Sequence, residues 1–118
     1  MKALFDIEQK FRAVGPENCF ISEITLAELK FGVENSTRRE HNRENLRKFL
    51  SQVQVIPIFD ALDTYASEKA RLRATGIVID DFDLLIGATA ITHELVMVTN
   101  NTAHFKNLNH ITLEDWTK

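Results

Sequence analysis

Two carboxylates far apart in the chain have the character of metal ligands or catalytic groups. Glu28 lies in the otherwise apolar helical stretch TLAELKFG (25–32), and Asp83 stands immediately before the apolar run that begins at Leu84. An acidic side chain in apolar surroundings is seldom buried without a partner or a metal ion. Two such groups brought together repel each other unless a divalent cation neutralises them, and hard oxygen ligands suit Mg²⁺ or Mn²⁺. Such an ion activates water and stabilises charge in phosphodiester cleavage.

The same acids also have a purely structural explanation. Carboxylates in the first turn of a helix accept hydrogen bonds from free N–H groups and interact favourably with the helix dipole. Asp80, Asp81 and Asp83 then serve as capping acids, and Glu28 is a solvated acid on the surface of a helix. Spacing alone favours this explanation because capping acids are common.

The elements around Asp83 predict where it lies. The acids from Asp80 onward precede an apolar helix in which Gly87 and Ala88 let another element approach closely. The run LVMV (95–98) then predicts a short buried parallel strand, and it ends in the polar residues TNN (99–101). Ligands in open α/β sheets bind outside the carboxyl ends of strands, so we expect a buried carboxylate and a polar strand end in one neighbourhood.

The remainder of the chain alternates helices with short apolar strands. Helices are predicted over 3–14, 22–32, 39–52 and 61–74, strands over 18–21, 55–59 and 111–112, and a last helical turn over 113–116. This alternation predicts one α/β domain whose parallel sheet is covered on both faces.

Local signals place several element ends. Ser22, with Thr25 three residues later, predicts a helix N-cap, and Asp60 predicts another. Gly76 is expected to end the helix that begins after Asp60, and Pro57 predicts an edge position for its strand.

Composition excludes some classes of protein. At 118 residues the chain has room for one domain, and its net charge of −3 gives no overall basic field for nucleic acid. Cys19 is the single cysteine, so a disulfide within the chain is excluded, and we expect it to be a small core residue. No apolar run reaches transmembrane length and residues 1–14 lack a signal-peptide pattern, which predicts a cytoplasmic protein without membrane contact.

Basic residues recur along two predicted helices. Arg39, Arg43 and Arg47 are spaced by four, which suits phosphate contact or docking of an acidic partner. The alternative is a solvated face relieved by Glu40 and Glu44. A possible extension of a basic rim consists of Lys69, Arg71 and Arg73.

Three ordered segments resemble the later motifs of PIN-domain proteins, and most of all the VapC-type toxins of bacterial toxin–antitoxin pairs. They are SEITLAELKFG (22–32), GIVIDDFDLLIGA (76–88) and VTNNTAHF (98–105), and the resemblance continues to LEDW (113–116). It implies a PIN-like three-layer α/β fold, with a short parallel sheet flanked by helices, in a single domain over residues 1–118. It also implies an endoribonuclease dependent on Mg²⁺ or Mn²⁺.

The resemblance assigns roles residue by residue. Glu28 corresponds to the second acid of the family and Asp83 to the third, so these two would hold the ion. Asn101 lies where the family carries Asp or Asn, and would orient a ligand or water. His104 lies where a further acid often stands. The implied partners are an RNA substrate and a VapB-type antitoxin, and such toxins commonly form homodimers.

The front of the chain departs from the family, which opens with an apolar strand ending in Asp-Thr-Asn. The resemblance therefore leads us to expect that the central first strand is missing or replaced and that the domain is N-terminally shortened. In one hypothesis residues 3–14 remain a helix, and the strands around 19–21 and 96–98 pair directly or borrow a strand from a second chain, with exchanged segments in a dimer. The metal site then lacks a ligand and activity is weak or absent.

In the other hypothesis residues 3–5 form a short central strand, Asp6 stands at its carboxyl end, and residues 7–14 are the crossover helix. The helical spacing of Leu4, Ile7, Phe11 and Val14 favours the first hypothesis. Three functions follow: a metal-dependent endoribonuclease toxin, a catalytically weak or inactive PIN module that retains antitoxin binding, or an unrelated small α/β protein whose acids are only caps.

Overall fold

Short apolar runs form strands and longer runs form helices in a computed structural model that describes residues 11–117. The longer elements, in chain order, are β1 (Phe20–Ser22), α1 (Glu23–Glu34), α2 (Arg39–Leu50), β2 (Gln54–Ile56), α3 (Leu62–Ala74), α4 (Asp81–Thr92), β3 (Val96–Val98), α5 (Thr102–Phe105) and β4 (Thr112–Glu114). Single 3₁₀ turns cover Pro16–Asn18 and Phe59–Ala61. The predicted α/β alternation is confirmed.

Hydrogen bonds join the described strands into two separate parallel pairs. In the first, Phe20 of β1 lies opposite Gln54 of β2, and in the second, Val98 of β3 lies opposite Glu114 of β4. The parallel direction is confirmed. Direct pairing between β1 and β3 was one expectation, and it is wrong because each pairs only with its own neighbour among residues 11–117.

Helix ends follow the local signals at three of four positions. Ser22 Oγ accepts a hydrogen bond from Thr25 N–H at 3.0 Å, and Asp80 caps α4. Gly76, with a φ of +78°, ends α3 in a Schellman turn whose two backbone bonds return to residues 72 and 73. The cap predicted at Asp60 is wrong, because Asp60 lies inside a 3₁₀ turn and the residue before α3 is Ala61.

Two predicted element boundaries differ from the observed ones. The first strand begins at Phe20 rather than at residue 18, because Pro16 starts a 3₁₀ turn that includes Asn18. The last helical turn predicted over 113–116 is wrong, because its first two residues continue β4 beside β3. Residues 11–14 are helical and Gly15 ends that helix; the strand hypothesis for 3–5 and Asp6 lies outside the described residues.

The core lies between α3, α4 and the second strand pair. Its buried members are Leu72, Ile79, Leu84, Phe105 and Leu108. Gly87 makes this packing possible, because a Cβ there would lie 2.5 Å from Leu108 Cδ1. The prediction of a close approach at Gly87 is therefore confirmed. Val96 and Val98 of β3, predicted to be buried, are instead 47% and 44% exposed, and Cys19, predicted as a core residue, is only half-buried. No helix among residues 11–117 is both long and apolar enough to cross a membrane.

Candidate active site

The acids at the start of α4 have separate partners. Asp80 accepts a hydrogen bond from Phe82 N–H at 3.1 Å, which makes it the cap. Asp81 Oδ1 accepts hydrogen bonds from Lys69 Nζ and Tyr65 Oη, both at 2.8 Å. The hydrogen bond from Lys69, followed by that from Tyr65, lowers the pKa of Asp81. Asp80 and Asp81 are thus committed to local structure, and Asp83 is left for another role.

Asp83 faces His104 of α5, the short helix that follows β3. Its Oδ2 lies 3.4 Å from His104 Nε2, and their side chains are 40% and 28% exposed. His104 Nε2 is buried without a hydrogen bond, so this contact is within ion-pair reach but not aligned for hydrogen bonding. The imidazole packs edge-on against Phe105, with ring centroids 5.1 Å apart. A buried ring nitrogen without a hydrogen bond is uncommon and calls for an explanation.

Asn101 belongs to the same end of β3. It occupies the N-cap position of α5, and its N–H donates to Thr99 Oγ1 at 3.0 Å. Its C=O accepts from His104 N–H at 3.1 Å. This bond ties Asn101 directly to the residue that faces Asp83. The structure therefore brings Asp83, Asn101 and His104 into one neighbourhood, as expected for the carboxyl end of a parallel strand.

Glu28 lies on a different helix from Asp83. It lies on α1, which packs against α4, so the helices that carry Glu28 and Asp83 are neighbours. The Glu28 side chain is exposed and makes no hydrogen bond or ion pair within residues 11–117. The expectation of a buried carboxylate therefore fails at Glu28, and at Asp83 it holds only in part.

The carboxylates of the described residues are suitable ligands for a divalent cation, but only two of them are candidates. Asp83 and Glu28 offer carboxylate oxygens that no strong partner occupies, which is the chemistry that Mg²⁺ and Mn²⁺ prefer. Among residues 11–117, however, no cluster of three or more His, Cys, Asp or Glu is arranged to hold a metal ion. Mg²⁺ keeps several waters and is commonly held by one or two carboxylates, so water or substrate oxygens would complete a site on Asp83 and Glu28.

Comparison with known proteins bears directly on this arrangement. A family model described as PIN domain matches residues 2–111. Ribonuclease VapC2 of Rickettsia felis is 38% identical over 83% of this chain and 74% of its own, and the tRNA(fMet)-specific endonuclease VapC of Shigella flexneri is 32% identical over 93% and 83%. The chain belongs to the PIN domain family and is of the VapC type.

Solved structures agree with this assignment of the fold. The structure of DNA-bound VapBC from Salmonella typhimurium superposes on this PIN domain with a TM-score of 0.89, at 31% identity over 94% of this chain and 84% of that one. The structure of VapBC2 from Rickettsia felis bound to promoter DNA gives 0.77, at 36% identity over 80% and 72%. The predicted PIN-like α/β fold is confirmed.

One buried carboxylate of this PIN domain escaped sequence reasoning. Glu68 is 7% exposed, and its pKa is lowered by hydrogen bonds from Arg71, with a further contribution from the N–H of Asn109. Arg71 also donates to Asn107 C=O at 2.6 Å. The only sequence signal was the Glu-Arg spacing of three, since Asn109 lies on a distant loop. Glu68 is thus held in a structural ion pair.

The basic residues of the two predicted stripes are mostly paired with acids. On α2, Arg43 contacts Glu34 and Glu40, and Arg47 contacts Glu44. The solvated-face interpretation of the arginine stripe is therefore supported, with Glu34 as an additional partner that the sequence reading did not include. The predicted basic rim also has less free positive charge than expected, because Lys69 pairs with Asp81 and Arg71 pairs with Glu68.

Proposed function

We propose that this PIN domain is an endoribonuclease toxin of a VapBC-type toxin–antitoxin pair. The observation that carries the proposal is the uncommitted carboxylate of Asp83, which faces His104 at the carboxyl end of β3 while Asp80 and Asp81 serve other partners. Relatives named as ribonucleases and a tRNA(fMet)-specific endonuclease support RNA as the substrate class.

The proposal assigns a role to each residue of the site. Asp83 and Glu28 would hold Mg²⁺ or Mn²⁺, and Asn101 would orient a ligand or water from the loop that follows β3. His104, packed against Phe105, limits the orientations open to the Asp83 carboxylate. The bound ion supplies water activation and charge stabilisation in phosphodiester cleavage.

The protein partner we propose is a VapB-type antitoxin, because solved relatives of this chain are complexes named VapBC. We also propose that the toxin forms a homodimer. Size-exclusion chromatography with light scattering on the purified chain, with and without a coexpressed antitoxin, measures both associations. A chain that stays monomeric and unbound in both samples contradicts this part of the proposal.

The proposed site is tested by comparing two neighbouring acids. Asp83→Asn should reduce Mn²⁺-dependent RNA cleavage by at least about a hundredfold, since even outer-shell changes at metal sites cost 10–100-fold. Asp81→Asn is the matched control, because Asp81 lies on the same turn but pairs with Lys69. Mn²⁺ binding measured by electron paramagnetic resonance gives a readout independent of activity. Equal cleavage and equal Mn²⁺ binding by both variants would contradict the assignment.

A second function is favoured by one specific observation. Glu28 is exposed and makes no hydrogen bond or ion pair among residues 11–117, so no described contact fixes it towards Asp83, which suits a module that binds the antitoxin without cutting RNA. This alternative predicts no cleavage by the wild-type chain at any Mn²⁺ concentration, together with intact antitoxin binding. Cleavage that is lost in Asp83→Asn decides for the enzyme.

A further inference from the structure

The contact between Asp83 and His104 joins a free carboxylate to an unused ring nitrogen. Asp83 Oδ2 and His104 Nε2 lie 3.4 Å apart, and Nε2 is buried without a hydrogen bond. Among residues 11–117 no lysine or arginine forms an ion pair with Asp83, whereas Asp81, two positions before it, pairs with Lys69. The described part of the chain therefore supplies no cation to the Asp83 carboxylate other than the imidazole itself.

The distance between the two atoms suits a shared metal ion better than a hydrogen bond. An N–H···O hydrogen bond is normally about 2.7–3.2 Å long, and charged pairs lie at the shorter end of that range. Two ligand atoms that are each about 2.1 Å from one ion are separated by about 3.0 Å at a right angle and by about 3.4 Å at the tetrahedral angle. The observed 3.4 Å lies within the range for two ligands of one ion.

The core fixes the positions of both side chains. Phe105 is 5% exposed and packs beside Gly87, because a Cβ on Gly87 would lie 3.7 Å from Phe105 Cδ1. Gly87 stands one helical turn after Asp83 on α4, so the two residues occupy the same face of that helix. His104 precedes Phe105 in α5 and packs edge-on against its ring. Side chains supported in this way lose little freedom when an ion binds.

An imidazole nitrogen changes which ions a site prefers. Mg²⁺ is coordinated by carboxylate, carbonyl and water oxygens, whereas imidazole is a common ligand of zinc, iron, nickel and copper ions. Mn²⁺, the weakest binder of the first transition series, accepts both oxygen and nitrogen ligands. A neutral imidazole with its proton on Nδ1 has a lone pair on Nε2. Directed at an ion beside Asp83, this lone pair favours a transition-metal ion over Mg²⁺.

We propose that His104 Nε2 and Asp83 Oδ2 bind the same ion, and that His104 makes the site select a transition-metal ion, Mn²⁺ or a later member of its series, over Mg²⁺. The inference rests on the proposed role of Asp83 in metal binding. It makes His104 a ligand that determines metal specificity, in addition to a residue that restricts the Asp83 carboxylate. Water and substrate oxygens complete the coordination.

The test measures metal binding by the purified chain without RNA. His104→Phe keeps an aromatic ring beside Phe105 but removes both ring nitrogens, and His104→Asp replaces nitrogen with carboxylate oxygen. Isothermal titration calorimetry gives the dissociation constants for Mn²⁺ and Mg²⁺. The ratio of the Mg²⁺ constant to the Mn²⁺ constant should fall at least about tenfold in both variants, since even outer-shell changes at metal sites cost 10–100-fold. In His104→Phe the fall comes from weaker Mn²⁺ binding, and in His104→Asp mainly from tighter Mg²⁺ binding.

Electron spin-echo envelope modulation of bound Mn²⁺ gives a readout that a merely structural role of His104 would not produce. Coordination by imidazole couples the Mn²⁺ electron spin to the ring nitrogen. This coupling should be present in the wild type and absent in His104→Phe and His104→Asp. His93→Phe is the matched control, because His93 is exposed and lies about 15 Å from Asp83 along the axis of α4. It should keep both the nitrogen coupling and the wild-type ratio of constants.

Two results would overturn the inference and leave the proposed nuclease intact. One is Mn²⁺ whose binding is lost in Asp83→Asn but which shows no nitrogen coupling in the wild type. The other is an unchanged ratio of dissociation constants in His104→Phe. Tighter binding of both ions by His104→Phe would also overturn the inference, because His104 would then compete with the ion for the Asp83 carboxylate.

Absence of Mn²⁺ binding by the wild-type chain would overturn the inference together with the metal-dependent function. The nitrogen coupling is measured on the wild-type chain, so the inference stays falsifiable even if both variants at His104 fail to fold. Circular dichroism of each variant establishes which of them can be compared.

Discussion

Glu68 Oε1 accepts a hydrogen bond of 2.6 Å from the backbone N–H of Asn109, which lies 41 positions along the chain. Arg71 strengthens this link by donating to Glu68 and to the C=O of Asn107. The two side chains of α3 therefore hold the loop whose Leu108 enters the core. A charged group here fixes a loop that apolar packing alone would hold less specifically.

Glu68→Ala should lower the free energy of unfolding by about 2–3 kcal/mol, because it leaves a backbone donor and Arg71 without their acceptor. Urea denaturation followed by circular dichroism measures the change. Glu44→Ala is the control: it removes an exposed ion pair with Arg47 and should change stability by less than about 1 kcal/mol. Equal losses in both variants would show that the Glu68 hydrogen bonds stabilise the fold no more than an exposed ion pair does.

Stability should fall in acid partly through Glu68. Hydrogen bonds from Arg71 and then from the Asn109 N–H lower the pKa of Glu68 in the folded chain, despite the opposing effect of burial. Its contribution is therefore complete above the unfolded pKa of about 4.3 and is lost as pH falls through the folded pKa. Urea midpoints between pH 3 and 6 should fall less steeply for Glu68→Gln than for the wild type. Parallel curves would refute this origin of the acid sensitivity.

Gly87→Ala should destabilise the protein although alanine is the better helix former. The new Cβ would meet Leu108 Cδ1 at 2.5 Å inside the core, and overpacking costs about 1–3 kcal/mol against a propensity gain of about 1. Gly32→Ala, with nothing within 4 Å of its Cβ position, should instead stabilise α1. Thermal denaturation of both variants measures the opposite signs. A stabilised Gly87→Ala would mean that Leu108 moves aside freely.

Asp80→Ala should reduce stability by about 1 kcal/mol, because Phe82 N–H loses its side-chain acceptor at the start of α4. Asp60→Ala tests the cap that the sequence suggested but the fold does not use, and it should leave stability within about 0.5 kcal/mol. Chemical denaturation compares the two. A larger loss at Asp60 than at Asp80 would reverse the assignment of caps.

Predictions from sequence succeeded where the deciding interaction is local. Ser22 and Asp80 bond to N–H groups two or three residues away, and Gly76 ends a helix through its own φ. Asp60 failed because the chain continues from a 3₁₀ turn straight into α3, which leaves no separate N-cap for it to serve.

Predictions were weaker where distant residues decide. The partner of Asp83 proved to be His104, which the sequence singled out only by its place after TNN. The buried carboxylate proved to be Glu68, whose acceptor role depends on a loop far along the chain. No periodicity reports such pairings, because they arise only when separate elements pack together.

The core is unevenly distributed along the chain, and this has a consequence for partial unfolding. The buried apolar cluster and the side chains packed against it all belong to residues 65–113, whereas only Ser22 and Val53 are buried among residues 11–60. The segment with α1, α2 and the first strand pair should therefore open at a lower free energy than the rest. Limited proteolysis under native conditions would then cut first in the turn at 35–38 and leave the later half resistant.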